Sequence, residues 1–268
     1  MKEQKNYALV TGGTSGIGYE LVKVLAENGY NLIIVARHEN DLIRVADEIK
    51  ANYSVDVISI GKDLFNPENA FDLYNQVKEK NLHVEILINN AGQGVYGLFE
   101  DTDLRRELAI INLNISSLVV LTKLFLKDML QQDSGRIMNL SSIASKAPGP
   151  WQSVYHGTKA FVQSFSEAVR NEVKDTNVTI TALLPGATDT DFFNKADMTQ
   201  SKIVKEEELD DPAKVAKDGY EAMIKGEDKV ISGWKNKMQV SMANMSTDSS
   251  AAEKMKKQQE PTGDLNKE

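Results

Sequence analysis

A chain of 268 residues fits one large domain or two small ones, at about 150 residues each. Its 31 Lys and Arg against 39 Asp and Glu leave a formal charge of −8, and with no basic run to relieve it a nucleic-acid grip built on paired phosphate charge is excluded. The complete absence of Cys removes disulfides, thiolate nucleophiles, Cys-ligated zinc and Cys-held iron–sulfur clusters, and a reducing, cytoplasmic setting is expected.

The first strongly apolar segment, Tyr7–Val10, is too short for the apolar region of a signal peptide, and Lys2 and Lys5 merely flank it. The longest apolar stretches, Leu32–Ala36 and the Lys123-interrupted Ile115–Leu126, fall short of the roughly 18 consecutive residues that a bilayer span needs. No membrane span is therefore expected.

Short Val- and Ile-rich runs then alternate with helix-period segments along the chain. Tyr7–Val10, Asn31–Val35, Val55–Ile60, Val84–Ile88, Gly135–Leu140, Val178–Leu184 and a weaker Lys229–Ser232 read as strands, and their lack of polar alternation suits burial on both faces. Between the first two, Ile17, Leu21, Val24 and Leu25 mark one face of an amphipathic helix, with Gly29 where it would stop. The series implies a single α/β domain, a doubly wound Rossmann fold with a parallel sheet of about seven strands, because right-handed crossovers return each strand beside its neighbours. That domain is expected over residues 1–245, with a polar, mobile substrate-covering segment at 188–211. Residues 246–268 read as a polar tail, frayed or weakly helical, since Leu265 is its only large aliphatic residue.

The first strand runs into Thr11-Gly12-Gly13-Thr14-Ser15-Gly16-Ile17-Gly18. Gly12 permits a tight turn, Gly16 lets backbone amides approach a pyrophosphate, and Gly18 lets the helix pack close to the sheet with its N-terminus aimed at the anion. Tyr19 and Glu20 stand where a nucleotide-hydrolysing phosphate loop needs Lys and Ser or Thr, so ATP or GTP hydrolysis is disfavoured. At the end of the second strand, where an acidic residue would take a ribose 2′-hydroxyl, stands Arg37 with His38 beside it. A guanidinium there offers its donors to a 2′-phosphate, which favours NADP(H) over NAD(H).

Beyond the strand Gly135–Leu140 come Ser141 and Ser142, then Tyr155, then Lys159 one helical turn later on the same face. An ammonium about 5 Å from a phenol, at an effective dielectric of about 20, favours the phenolate by about 3 kcal/mol, bringing Tyr155 towards the range of acid–base catalysis. Ser142 can hold the oxygen that exchanges the proton. Taken alone, a Tyr and a Lys four apart are most often an edge aromatic and a solvated charge.

The order and spacing of Thr11–Gly18, Asp63-Leu64, Asn89-Asn90-Ala91-Gly92, Asn114, Ser142, Tyr155, Lys159 and Pro185-Gly186-Ala187-Thr188-Asp189-Thr190 resemble the short-chain dehydrogenase/reductase family, closely from Tyr7 to Thr190. The resemblance implies an oxidoreductase with Asn114, Ser142, Tyr155 and Lys159 as its catalytic set, Asn114 holding a water that links Lys159 to solvent. It implies that Gly12, Thr14, Ser15, Gly16, Ile17 and Gly18 hold the dinucleotide together with Arg37, that Asp63 and Leu64 meet the adenine, and that Asn90, Ala91 and Gly92 cover the adenosine ribose. Tyr155 and Lys159 would stand at the nicotinamide ribose, and Pro185, Gly186, Ala187, Thr188 and Thr190 near the carboxamide or pyrophosphate. Thr158 replaces the Ser more usual before Lys159, a departure that leaves both catalytic side chains in place.

The activity expected is interconversion of a carbonyl and a secondary alcohol, with a homodimer or homotetramer implied and no metal. The alternatives are an NADP(H)-binding sensor or scaffold without turnover and an epimerase or dehydratase relative; the latter would need a larger substrate domain after Thr190. Gln93–Phe99, Pro148–Gln152 with Trp151, and Phe192-Phe193 are the candidate walls of a pocket for a small neutral substrate. His156 lies about 100° around the helix from Tyr155, which suits packing or the surface. Met238, Met242 and Met245 read as a helix face packed on the body or on another subunit.

Overall fold

The computed structural model describes residues 5–262. In chain order the elements are β1 (Asn6–Thr11), α1 (Gly16–Glu27), β2 (Asn31–Ala36), α2 (Glu39–Asn52), β3 (Val57–Gly61), α3 (Glu68–Glu79) and β4 (His83–Asn89). There follow α4 (Leu104–Ile111), α5 (Leu118–Gln132), β5 (Gly135–Leu140), α6 (Ser153–Glu172) and β6 (Val178–Leu184). The chain continues through α7 (Phe192–Lys195), α8 (Lys202–Glu206), α9 (Pro212–Ile224), β7 (Lys229–Ile231), α10 (Trp234–Asn244) and α11 (Asp248–Gln259).

The strands form one seven-stranded sheet in the order β3-β2-β1-β4-β5-β6-β7, with every pairing parallel. This is the doubly wound sheet expected from the sequence. Successive side chains of a strand leave by opposite faces, so each uninterrupted apolar run supplies two cores at once. Leu9, Ile33, Val35, Leu87 and Ile137 pack with Leu73, Leu121 and Phe125 of α3 and α5 on one face. Ala8, Val10, Ile34, Ile86 and Ile88 pack with Leu21, Leu25, Leu42 and Met223 of α1, α2 and α9 on the other. The strand order reverses between β1 and β4, and it is outside the carboxyl ends of strands at such a reversal that open α/β sheets hold their ligands.

Between α4 and α5 the helix does not break but passes through one widened π turn, Asn112–Ser117. The run Leu104–Gln132 is in consequence 29 residues long with a window of mean hydropathy 1.8, long and apolar enough by length and composition to cross a bilayer. Counting only uninterrupted apolar residues had hidden this, because Lys123 divides the run in sequence but not in the helix. The apolar character has a local cause: Leu121, Phe125 and Met129 of α5 lie in the core between the helix and the sheet.

The segment at 188–211 contains α7 and α8 and is pinned by a bridge from Thr188 to Asp210. Phe193, Ala196 and Met198 gather Tyr96, Ile203 and Leu209 into a small apolar cluster of its own. Of the polar tail, residues 248–259 form α11, exposed along most of its length but burying Gln259, whereas Leu265 lies outside the described residues. The Met face of α10 is exposed, with Met238 at 51% and Met242 at 45%, so it does not pack on the body of the subunit.

Candidate active site

The glycine-rich turn is shaped by what lies against it. Gly16 takes φ +54°, a conformation that side-chain-bearing residues rarely adopt. A Cβ on Gly18 would stand 2.2 Å from the Gly12 carbonyl oxygen and 2.3 Å from Nδ2 of Asn90, so no other residue fits that contact. Asn90 fastens the turn to β4: its Nδ2 donates to the carbonyls of Thr11 (2.9 Å) and Gly12 (3.1 Å), while its own N–H and that of Ala91 donate to Oγ1 of Thr11. The N-cap residue of α1, Ser15, makes no side-chain capping bond, so the first amides of the helix keep their donors for an anion.

A cleft of about 490 Å³ begins at this turn and runs along the carboxyl ends of the strands. Gly12, Thr14, Ser15, Gly16, Ile17, Gly18, Arg37, Asp63, Leu64, Asn90, Ala91 and Gly92 border it at one end. Ser142, Tyr155, Lys159, Pro185, Gly186, Ala187, Thr188 and Thr190 border the rest. Thr190 crosses back over the glycine turn, for a Cβ on Gly16 would meet its Cγ2 at 2.9 Å. Asn114 is the exception among the expected site residues, since it stands behind the cleft wall rather than on it.

Two cations that the sequence reading passed over share the nucleotide end with Arg37. Arg44, on α2, lines the cleft and donates from Nη2 to the Thr14 carbonyl (3.3 Å), and Lys62 lines it from the end of β3. The signal for Arg44 was its position seven residues after Arg37, on the helix that the turn before it launches towards the glycines. Arg37 itself lies over the Phe65 ring, 4.9 Å from its centroid. An uncapped helix start, a glycine cradle and three bordering cations fit a dinucleotide phosphate, and the site accepts this group on its own residues.

At the other end, α6 carries Tyr155 and Lys159 one turn apart, with Lys159 Nζ 5.8 Å from the Tyr155 ring centroid. Nζ donates to the Leu140 carbonyl at 2.7 Å, leaving two of its three protons for other partners. The two serines after β5 divide their work. The Ser141 hydroxyl donates to the Lys159 carbonyl (2.8 Å), holding α6 to the strand, while Ser142 borders the cleft and caps the short turn after it by accepting from the Ala144 N–H.

Asn114 sits in the π turn, 1% exposed, and its amide exchanges bonds with the Gln93 backbone (2.9 and 3.0 Å) and donates to Thr158 Oγ1 (3.0 Å). A Cβ on Gly92 would stand 3.3 Å from both Asn114 Oδ1 and Lys159 Nζ, so the two groups approach the same backbone step. Thr158 is thereby part of the constellation, joining α6 to the π turn. Asn112, the other asparagine of this turn, is half-buried and has no such contacts.

The electrostatics differ from the sequence expectation. Burial pushes the Tyr155 phenol up to about 12, with the adjacent Ser142 acting in the opposite direction. Burial also brings the Lys159 ammonium down to about 8. Both shifts oppose a phenolate–ammonium pair, because removing either charge from water costs more here than their attraction returns. Of the expected pocket walls Gln93, Gln152, Phe192 and Phe193 border the cleft, whereas the rest of Gln93–Phe99 and of Pro148–Gln152 does not, and Trp151 instead stacks on Tyr96, ring centroids 5.6 Å apart. His156 is buried, its Nδ1 2.8 Å from the Ala147 carbonyl oxygen, and contrary to expectation it also borders the cleft. Among the described residues no three His, Asp or Glu side chains are grouped to hold a metal.

Residues 6–201 match a family model described as short chain dehydrogenase. The very-long-chain 3-oxoacyl-CoA reductase of Rattus norvegicus is 33% identical over 186 residues, which cover 67% of this chain but only 58% of that protein, so the chain spans little more than half of its length. A short-chain dehydrogenase from Sphingobium yanoikuyae in complex with NADPH superposes with a TM-score of 0.80 at 26% identity, covering 90% of this chain and 95% of that one. A short-chain dehydrogenase/reductase from Burkholderia phymatum in complex with NAD shares the fold over the whole of both chains, with a TM-score of 0.81 at 21% identity.

Proposed function

Because the chain belongs to the short-chain dehydrogenase family, we propose that it is an NADP(H)-dependent oxidoreductase that interconverts a small, neutral carbonyl compound and its secondary alcohol. The observation that carries this reading is the convergence of Ser142, Tyr155 and Lys159 on the same cleft as the glycine turn. A sensor or scaffold would need the nucleotide end alone. NADPH is chosen over NADH because Arg37, Arg44 and Lys62 border the end where a 2′-phosphate would lie, and no carboxylate ends β2. The relatives that carry NADPH and NAD divide on this point.

In the reductive direction a reduced nicotinamide, when bound, would supply hydride to the carbonyl carbon. Ser142 would orient the carbonyl oxygen by a hydrogen bond from its hydroxyl, keeping its own proton, once that hydroxyl turns from the Pro185 carbonyl. Tyr155 then gives its phenolic proton to that oxygen as negative charge develops there. Its raised pKa keeps the phenol protonated at neutral pH, the form an acid needs. Lys159, holding one proton on the Leu140 carbonyl, keeps two donors that would be available to a nicotinamide ribose and to the phenolate left behind. Asn114 keeps Gln93 and Thr158 in register around it and positions a proton path from Lys159.

A homodimer or homotetramer is part of the proposal, supported by exposed Leu104, Leu108 and Phe161 on α4 and α6, two helices that pack against each other. Cytoplasmic residence is proposed on the cysteine-free composition.

The test is calorimetric titration with NADPH and, separately, with NADH. Binding of NADPH at least tenfold tighter, about 1.4 kcal/mol, is expected. Equal affinities would remove the cofactor preference, and absence of binding to either would remove the oxidoreductase.

A further inference from the structure

The chain after α10 returns to the substrate end of the cleft. Thr262 N–H donates to the Gln200 carbonyl (2.9 Å), Lys202 N–H to the Glu260 carbonyl (3.0 Å), and Ser201 bridges to Pro261, so the segment is strapped across α8. These bonds deliver one side chain inward. Gln259 is 3% exposed, at the end of a helix whose remaining residues are exposed or half-buried, and it borders the cleft together with Met255.

Its orientation follows from the ring it meets. His156 presents Nδ1 to the Ala147 carbonyl oxygen (2.8 Å), which can only accept, so the ring proton sits on Nδ1 and Nε2 is left with a lone pair. Burial holds the His156 pKa below its ordinary value, which keeps the ring in this neutral form. Gln259 Nε2 donates to that lone pair (3.0 Å) and lies 3.3 Å from Gln152 Oε1, while the Tyr96 hydroxyl donates to the Gln259 carbonyl oxygen (2.5 Å). The side-chain amide is thus held through Nε2 by His156 and Gln152, and the main chain of Gln259 by Tyr96, next to the residue that follows the reacting phenol. Among the described residues, Gln259 Oε1 and Gln152 Nε2 have no partner, a cost of about 1–3 kcal/mol for each buried group.

We infer that Gln259 determines specificity: held by His156, it fills the far end of the substrate pocket and limits how large a ketone can reach Tyr155. This rests on the proposed oxidoreductase function and deepens it. The ligand class is an uncharged ketone, because the side chains that face this end are Phe192, Met198, Ile203 and Met255 with the amides of Gln152 and Gln239. The charged pair nearby, Asp191 and Lys195, is closed on itself at 3.0 Å.

The experiment uses Prodan, an uncharged aryl ketone whose emission reports an apolar site, titrated fluorimetrically into the full-length protein with NADP+ present. Gln259→Ala is expected to bind it at least fivefold more tightly than the unmodified protein, since truncation lengthens the pocket. Gln259→Met, which keeps the volume and loses the hydrogen bonds, is expected to stay within twofold of the unmodified protein. Equal affinity of Gln259→Ala and the unmodified protein, or Gln259→Met behaving as Gln259→Ala, would overturn the assignment. NADPH affinity, by calorimetry, is expected to be the same in all three. If no form binds NADPH or NADH while Prodan still separates the variants, the oxidoreductase reading falls and the pocket assignment stands.

Discussion

Tyr155 and Lys159 show how burial can outweigh attraction between neighbouring groups. A phenol pushed up to about 12 and an ammonium brought down to about 8 both disfavour a phenolate–ammonium pair in the free protein. In a difference titration at 295 nm, wild type minus Tyr155→Phe, the Tyr155 phenolate is expected to appear only above about pH 11; a midpoint near 9 would show that Lys159 dominates after all. Tyr155→Phe itself is expected to bind NADPH normally and lose nearly all turnover, measured as NADPH oxidation. Lys159 makes a stability prediction with a definite sign. Its folded pKa lies below the ordinary 10.5, so the folded state carries the cost of a buried charge in full below pH 8, and that cost fades as pH rises to 10.5. Lys159→Met is therefore expected to melt higher at pH 7, by the order of 1 kcal/mol net of the lost bond to Leu140, with the gain vanishing near pH 10.5 and activity absent. A lower melting point at pH 7 would mean that the Leu140 bond dominates.

At the scale of an element, the π turn at Asn112–Ser117 is the feature on which the site depends. A π turn carries one extra residue relative to the α-helix on either side, and here that residue's worth of rotation turns Asn114 towards Gln93 and Thr158. Deleting Ser116 is expected to restore a continuous α-helix and to swing Asn114 away, leaving the circular-dichroism spectrum and NADPH binding close to wild type while turnover falls at least tenfold. Retained turnover would show that Asn114 is not needed in that place. The widened turn was not legible in the sequence, since Asn-Leu-Asn-Ile-Ser-Ser has no composition that distinguishes an i→i+5 bond from an i→i+4 bond. Of the two asparagines in the turn, only Asn114 is placed on the Gln93 and Thr158 partners.

For the whole molecule, two groups of exposed apolar side chains are candidates for a subunit contact. Leu104 at 65%, Leu108 at 52% and Phe161 at 40% exposure occupy α4 and α6, whereas the Trp234, Met238 and Met242 face belongs to α10. If α4 and α6 form the subunit contact, Leu108→Glu places a charge in it and sedimentation is expected to shift from dimer or tetramer to monomer. An unchanged sedimentation coefficient would send the interface elsewhere, with α10 next in line.

Local chemistry determined much of this protein by residue type and order alone. Short runs of Val, Ile and Leu without polar alternation, set between helix-period segments, suit strands buried on two faces, the glycines of 12–18 are required where a turn and a helix approach within hydrogen-bonding distance, and Tyr155 and Lys159 share a face because they are one helical turn apart. What tertiary structure decided is whatever depends on residues far apart in the chain. Arg44 and Lys62 became neighbours of Arg37 only when α2 and β3 closed against the glycine turn, and the balance of pKa values followed from burial that no spacing reveals. Gln259 reached His156 across 103 positions of sequence, carried by a helix whose composition suggested only a solvated tail.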